Sequence, residues 1–388
     1  MEYQRYQLRD IGDIVSGATP KTTVAENFGG AIPWLTPADL SGYTQKYISR
    51  GKRNLTQQGY DSCSTQIMPS GTVLFSSRAP IGYTAIAKNP ICTNQGFKSI
   101  VPKPFVNSEF LYYQLIYLRK TIQDMGSGTT FKEISAKKFG AVQVTIPPLV
   151  EQERIVARIE ELFSQLDASV AELKTAKERL KVYRQAVLKE AFEKINAHIP
   201  FGKIIDARLG KMLDKEKNSG NYRKYLRNIN VRWFSFDLSD LLEMRIEDDE
   251  IEKYSVSHND LIICEGGEPG RCAVWDKQDS IFYQKALHRV RFLDNSTPKF
   301  YMYYLWFSAQ TGQLCRYFTG TGIKHLTGQS LSKVVVPTAD RNIQDSIVAE
   351  IESRLSICGS IEKTVDTALQ QAEALRQGIL KKAFEGEF

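Results

Sequence analysis

Four histidines (His198, His258, His288, His325) and six cysteines (Cys63, Cys92, Cys264, Cys272, Cys315, Cys358) are the residues of this 388-residue chain best suited to hold a metal or act as nucleophiles. Their spacing argues against both roles. No HExxH pair sets two imidazoles on one helical face, and no CxxC pair joins two thiolates. The cysteines read as small buried apolar residues of a reducing compartment, not as a disulfide frame. Phosphate chemistry finds no support either. There is no GxxxxGK[ST] loop, and the glycines within 126–128 and 320–322 form lone turns without a dinucleotide fingerprint. Glu172 and Lys174 have the ExK spacing of some nucleases, but they fall in a helical heptad where a solvated ion pair is the simpler reading. No [DN]PP[FY] amino-methylation motif occurs; Pro147 and Pro148 sit in TIPPL, placed to end a strand and stiffen a linker. The residues therefore predict no catalytic or metal site in this chain, and a protein that acts by binding.

The elements that must position any binding surface are written twice. QERIVARIE (152–160) returns as QDSIVAEIE (344–352), and RQAVLKEAFE (184–193) returns as RQGILKKAFE (376–385). The stretch 149–196 lacks Gly and Pro and carries apolar residues at alternating three- and four-residue steps: Ile155, Ile159, Leu162, Leu166, Leu173, Leu180. The stretch 339–388 repeats this with Ile347, Ile351, Leu355, Ile361, Val365, Leu375. Each predicts a helix of roughly 60 Å. Neither has enough apolar surface to stand alone, so they are expected to pair as an intramolecular antiparallel coiled coil. Residues 1–148 and 197–338 mix short strand-like runs with Gly and Pro punctuation and predict two similar globular domains. The expected class is α+β: two like α/β domains joined by two long helices, with an internal pseudo-two-fold repeat.

Charge permits a polyanionic partner without demanding one. The net charge is +7, and the surplus lies in residues 1–198, which carry 25 Lys and Arg against 18 Asp and Glu. Segment 208–232 is a local exception in the second half, with eight basic residues against two acids, and EDDEIE (247–252) is its acidic opposite. The longest apolar run, FYMYYLWF (300–307), is too short to span a bilayer. Its counterpart FLYYQL in the first half argues for a buried core helix rather than a base-stacking platform. A soluble, cytoplasmic protein is expected.

The combination GTTFKEI (128–134), IPPLVEQERIVARIE (146–160) and a terminal ILKKAFEGEF (379–388), with LRDIGDIVSGATPKT (8–22) near the start, resembles the DNA-specificity subunit of type I restriction–modification enzymes. The likeness covers the whole chain. One departure is the second linker, VPTADRNIQDSIV, which lacks the second proline and the glutamate before Gln344. The resemblance implies that each globular domain is a target-recognition domain reading one half of a split, asymmetric site in double-stranded DNA. It implies that the helices set the gap and bind two methyltransferase (modification) subunits. Adenine N6 methylation with S-adenosylmethionine, and cleavage with a restriction/translocase subunit, would then belong to the partners. This chain would hold no cofactor. A DNA-binding regulator without enzymatic partners, and a nuclease with an unfamiliar site, are the competing readings.

If the resemblance holds, residues shared by both halves cannot tell two half-sites apart and are expected to be scaffold or phosphate contacts. Lys132 and Lys324 are the shared pair, with Thr129, Thr130 and Thr321 as added hydroxyl donors. Residues that differ between equivalent loops are the base candidates: Ser77, Arg78, Asn94 and Gln95 in the first half, Arg271, Gln284 and Lys285 in the second. Arg and Lys suit guanine edges; Asn and Gln suit adenine.

Overall fold

Short unbroken apolar runs such as Val73–Phe75 and Leu261–Cys264 can be satisfied only as strands covered on both faces, and both are fully buried. The computed structural model describes residues 4–78, 80–128, 132–214, 216 and 218–388. It divides into two compact units, residues 1–173 with 367–388, and residues 174–366.

In the first unit, β1 (Gly12–Ser16), β2 (Tyr47–Ile48), β3 (Val73–Phe75), β4 (Thr84–Ala87) and β5 (Lys98–Pro102) form one sheet in the order β1-β5-β3-β4-β2. A short parallel pair joins Trp34 to Cys92 and Leu35 to Thr93. Gln4–Gln7 pairs antiparallel with Gln143–Ile146, which ends at Pro147 as the linker prolines require. The helix Ser108–Tyr117, capped by Asn107, packs Phe110, Leu111 and Leu115 into the core.

The second unit repeats this plan. β6 (Ile205–Leu209), β7 (Leu261–Cys264), β8 (Cys272–Val274) and β9 (Leu287–Phe292) follow the order β6-β9-β7-β8. The parallel pair recurs between Tyr225–Leu226 and Phe282–Tyr283, here within a larger four-stranded sheet. His198–Pro200 pairs with Val335–Pro337. FYMYYLWF lies on the helix Pro298–Gln310, with Phe300, Tyr301 and Leu305 fully buried. The two units thus use one fold twice.

The long helices run Leu149–Glu193 and Arg341–Glu385 and pack together. In the first unit Ile155, Ile159 and Phe163 share a core with Ile379, Leu380 and Ala383. Asp167 pairs with Arg376, whose guanidinium lies 4.4 Å from the Phe163 ring centroid. In the second unit the pairs are Lys177–Asp366 at 2.6 Å, Arg184–Glu362 at 2.6 Å and Glu190–Arg354 at 2.9 Å. One number rises as the other falls, so the pairing is antiparallel. Leu162, Leu166, Leu173, Leu180, Ile347 and Leu355 are half-buried along the seam, and Ile351 and Val365 are buried. Two expected seam residues face outward instead: Ile361 and Leu375 are exposed. The antiparallel register gives their places to the next residues round the helix, Glu362 and Arg376, which pair across it. Cys315 is exposed, contrary to expectation, whereas Cys92, Cys264, Cys272 and Cys358 are buried and all six are free thiols.

Candidate nucleic-acid interface

Three loops meet at one end of the sheet in each unit, and backbone hydrogen bonds fix how they meet. In the first unit β3 runs on into Ser76–Arg78. Ser77 N donates to Gly96 O at 2.7 Å, binding this stretch to the loop that carries Asn94 and Gln95. Ile134 N donates to Ser77 O at 3.0 Å, binding the turn that carries Lys132. That turn is pinched at its base by reciprocal Ser127–Glu133 hydrogen bonds, both 3.0 Å.

The second unit makes the same bonds with other residues. Glu265 N donates to Ala286 O at 2.9 Å, and Leu326 N donates to Glu265 O at 2.7 Å. Thr319 and His325 exchange both bonds at 2.9 Å, pinching the turn that carries Thr321 and Lys324. Lys132, Lys324 and Thr321 are all exposed. Lys324 Nζ reaches back to Gly320 O at 2.8 Å. Thr129 and Thr130 lie outside the described residues.

The base candidates divide by accessibility. Gln95 and Lys285 are exposed at the tips of equivalent loops, and Gln95 Oε1 accepts from the Thr19 hydroxyl. Asn94 and Gln284, one residue earlier, are half-buried; Asn94 Oδ1 accepts Gly96 N at 2.9 Å and so shapes its own turn. Arg78 is partly exposed, its Nη1 3.5 Å from Glu133 Oε2. Ser77 is enclosed, and Arg271 is tied into its own loop. The Ser77 side chain is buried with its Oγ unpaired. Arg271 donates to Glu268 at 2.7 Å and to Asn228 O at 2.8 Å, so its guanidinium braces the loop.

Lys211, Arg223, Arg227 and Arg232 of the basic segment 208–232 face carboxylates. Lys211 is buried between Glu247 and Glu250, two of the five acids of EDDEIE, with Glu247 at 2.5 Å. Those two carboxylates raise the Lys211 pKa against the opposing effect of burial, which is the largest single influence. Arg223 lies 3.6 Å from Asp248, Arg227 2.7 Å from Asp240 and Arg232 3.7 Å from Asp237. Tyr225 is core, while Tyr222 is exposed beneath Arg245 at 5.1 Å. These acid–base pairs build a domain surface.

Several buried polar positions escaped sequence reasoning. Lys98 opens β5 and His288 is the second residue of β9, both beneath the loop clusters and nearly inaccessible. Gln152 and Gln344, the first residues of the repeated QxxIVxxIE pattern, are buried hydrogen-bonding hubs. Their identity in both repeats, where neighbours changed, was the available signal. Among the described residues no group of three or more His, Cys, Asp or Glu is placed to hold a metal, and no helix is long and apolar enough to cross a membrane.

Comparison with known proteins bears on both units. The family described as "Type I restriction modification DNA specificity domain" matches residues 1–179 and 201–371. The EcoKI specificity subunit of Escherichia coli K12 is 25% identical over 356 residues, covering 84% of this chain and 76% of that one. The MjaIX specificity subunit of Methanocaldococcus jannaschii is 47% identical over 153 residues, but the match spans only 38% of this chain and 35% of the relative. Among solved structures, the HsdS subunit from Thermoanaerobacter tengcongensis has a TM-score of 0.64 at 18% identity, covering 100% of this chain and 97% of that one. A chain solved in work on complex assembly and conformational transition of the type I R-M system has a TM-score of 0.79 at 18% identity, covering 100% and 98%. At that identity the structural likeness establishes the fold.

Proposed function

Because the chain belongs to the type I restriction–modification DNA-specificity family, we propose that it is a non-catalytic recognition subunit in which each unit reads one half of a bipartite, asymmetric target in duplex DNA. The carrying observation is the loop cluster built twice by the same backbone bonds but tipped by different side chains, Gln95 in one unit and Lys285 in the other. An unchanged scaffold with changed tips is what reading two different half-sites requires. The exposed turn lysines Lys132 and Lys324 hold phosphate and set register.

In this reading the paired helices set the unspecified gap, since half-sites on one DNA face lie about 34 Å apart. They also bind two methyltransferase subunits. Those partners methylate adenine at N6 with S-adenosylmethionine, and a restriction/translocase subunit, where present, cleaves unmodified DNA. The test is single-molecule methylome sequencing of the source cell with and without this gene. The expected result is loss of methyl-adenine from one split motif; persistence of every methylated motif would overturn the reading.

A further inference from the structure

The same position in the two units is occupied by two different buried cation-type side chains. The register makes the equivalence explicit. Ser76 bridges Phe97 in the first unit, Cys264 pairs with Leu287 in the second, and the next residues are Lys98 and His288. Lys98 is 8% exposed and His288 is 1% exposed. A side chain of either type so enclosed, at a strand end that opens onto solvent, needs a reason beyond packing.

Each makes contacts that bind the loop cluster together. Lys98 Nζ lies 3.4 Å from Gln95 O and 3.4 Å from Phe97 O, in the base-candidate loop. It is also 4.0 Å from Glu133 Oε1, at the base of the Lys132 turn, and Glu133 faces Arg78 on its other oxygen. One amine therefore touches the reading loop and the phosphate turn together. In the second unit His288 Nε2 donates to Leu326 O at 2.8 Å, immediately after the Lys324 turn. His325, the counterpart of Glu133, lies 3.5 Å from Glu265, the counterpart of Ser77. The joint is kept while its chemistry is exchanged: ammonium and carboxylate in one unit, imidazole and carbonyl in the other.

We propose that Lys98 and His288 are positioning residues for DNA reading, each locking the base-reading loop of its unit at a fixed offset from the phosphate-binding turn. This rests on the two-reader function above. Neither side chain touches DNA. Each sets where the tips Gln95 and Lys285 stand when the turn lysine has found its phosphate. Small displacements matter here because a bidentate base contact demands hydrogen-bond geometry, while a phosphate contact tolerates movement.

The experiment uses the full chain assembled with its methyltransferase subunits and selects bound duplexes from a random DNA library by sequencing. Wild type is expected to return a bipartite motif; a motif with one half only, or none, sinks the two-reader function and the positioning role with it. Given that motif, Lys98→Met is expected to lower discrimination at one half by roughly tenfold, the scale of one lost base contact, and to leave the other half intact. His288→Leu is expected to do the same at the opposite half. Lys98→Arg and His288→Gln, which restore a donor, are expected to recover most of the loss. Glu133→Gln, at a partly exposed site that leaves the core alone, is expected to blur the same half as Lys98→Met and serves if that variant does not fold. The salt slope is expected to stay unchanged in Lys98→Met. A fall of about one would mark a direct phosphate contact and overturn the proposal. So would loss spread over both halves, or no recovery with the donor restored.

Discussion

The side-chain carbonyl of Gln152 accepts the backbone N–H of Asn107 at 2.7 Å, and Asn107 is the residue that caps the core helix of the first unit. The Gln152 amide donates to Phe105 O at 2.9 Å and Pro147 O at 2.8 Å. Gln344 does the same in the second unit, accepting Thr297 N at 2.7 Å and donating to Ala339 O at 2.8 Å. One glutamine thus fastens the first turn of each long helix to the cap of the core helix and to the linker before it.

Replacing Gln152 with Leu is expected to leave a buried N–H and two carbonyls without partners. Stability should fall by about 3 kcal/mol, within the range for buried unsatisfied groups. Denaturant unfolding of the full chain measures it, and a loss below about 0.5 kcal/mol would contradict the hub role.

The exposed turn lysine predicts a different kind of defect. Lys132→Ala should weaken binding about equally across DNA sequences and lower the salt slope by about one. A changed base preference with an unchanged slope would instead make Lys132 a reader.

The long helices separate folding from partner binding. Leu166→Asp puts a charge into the seam and is expected to lower the melting temperature of the chain alone. Ile361→Asp, on the outer face, should leave that temperature unchanged and weaken capture of the methyltransferase subunits. If both variants melt like wild type, the seam as described is wrong.

His288 should make the second unit acid-sensitive. Burial holds its pKa below the ordinary 6.5, against the opposing pull of the Leu326 carbonyl and the facing Glu265. Between the folded and unfolded values the unfolded chain binds more protons, so stability rises with pH there and is lost as pH falls below about 6.5. Urea unfolding followed from about pH 7.5 to about pH 5 should show a decline that His288→Gln reduces; an identical decline in the variant would assign it elsewhere.

Much of this architecture was legible because it is written twice. Heptad spacing marked both long helices, and the repeated blocks placed Lys132 opposite Lys324 in turns that share their backbone bonds. What pattern could not supply was pairing at a distance. Gln152 and Gln344 find partners 45 and 47 residues away. Ile361 read as seam because it is apolar, but the antiparallel register sets Glu362 opposite Arg184. Arg271 stood out by type and place, while its bonds to Glu268 and Asn228 O depend on how the loop folds. Lys98 carried no signal of its own, since burial of an amine depends on which loops close above it.

The first unit is assembled from two stretches of chain, residues 1–173 and 367–388, and Leu380 and Ala383 lie in its core. The second is a single uninterrupted stretch, residues 174–366. Synthesis therefore completes the second unit's sequence before that of the first. The domain begun first is completed last, because the final stretch supplies the apolar partners that Ile155, Ile159 and Phe163 share a core with.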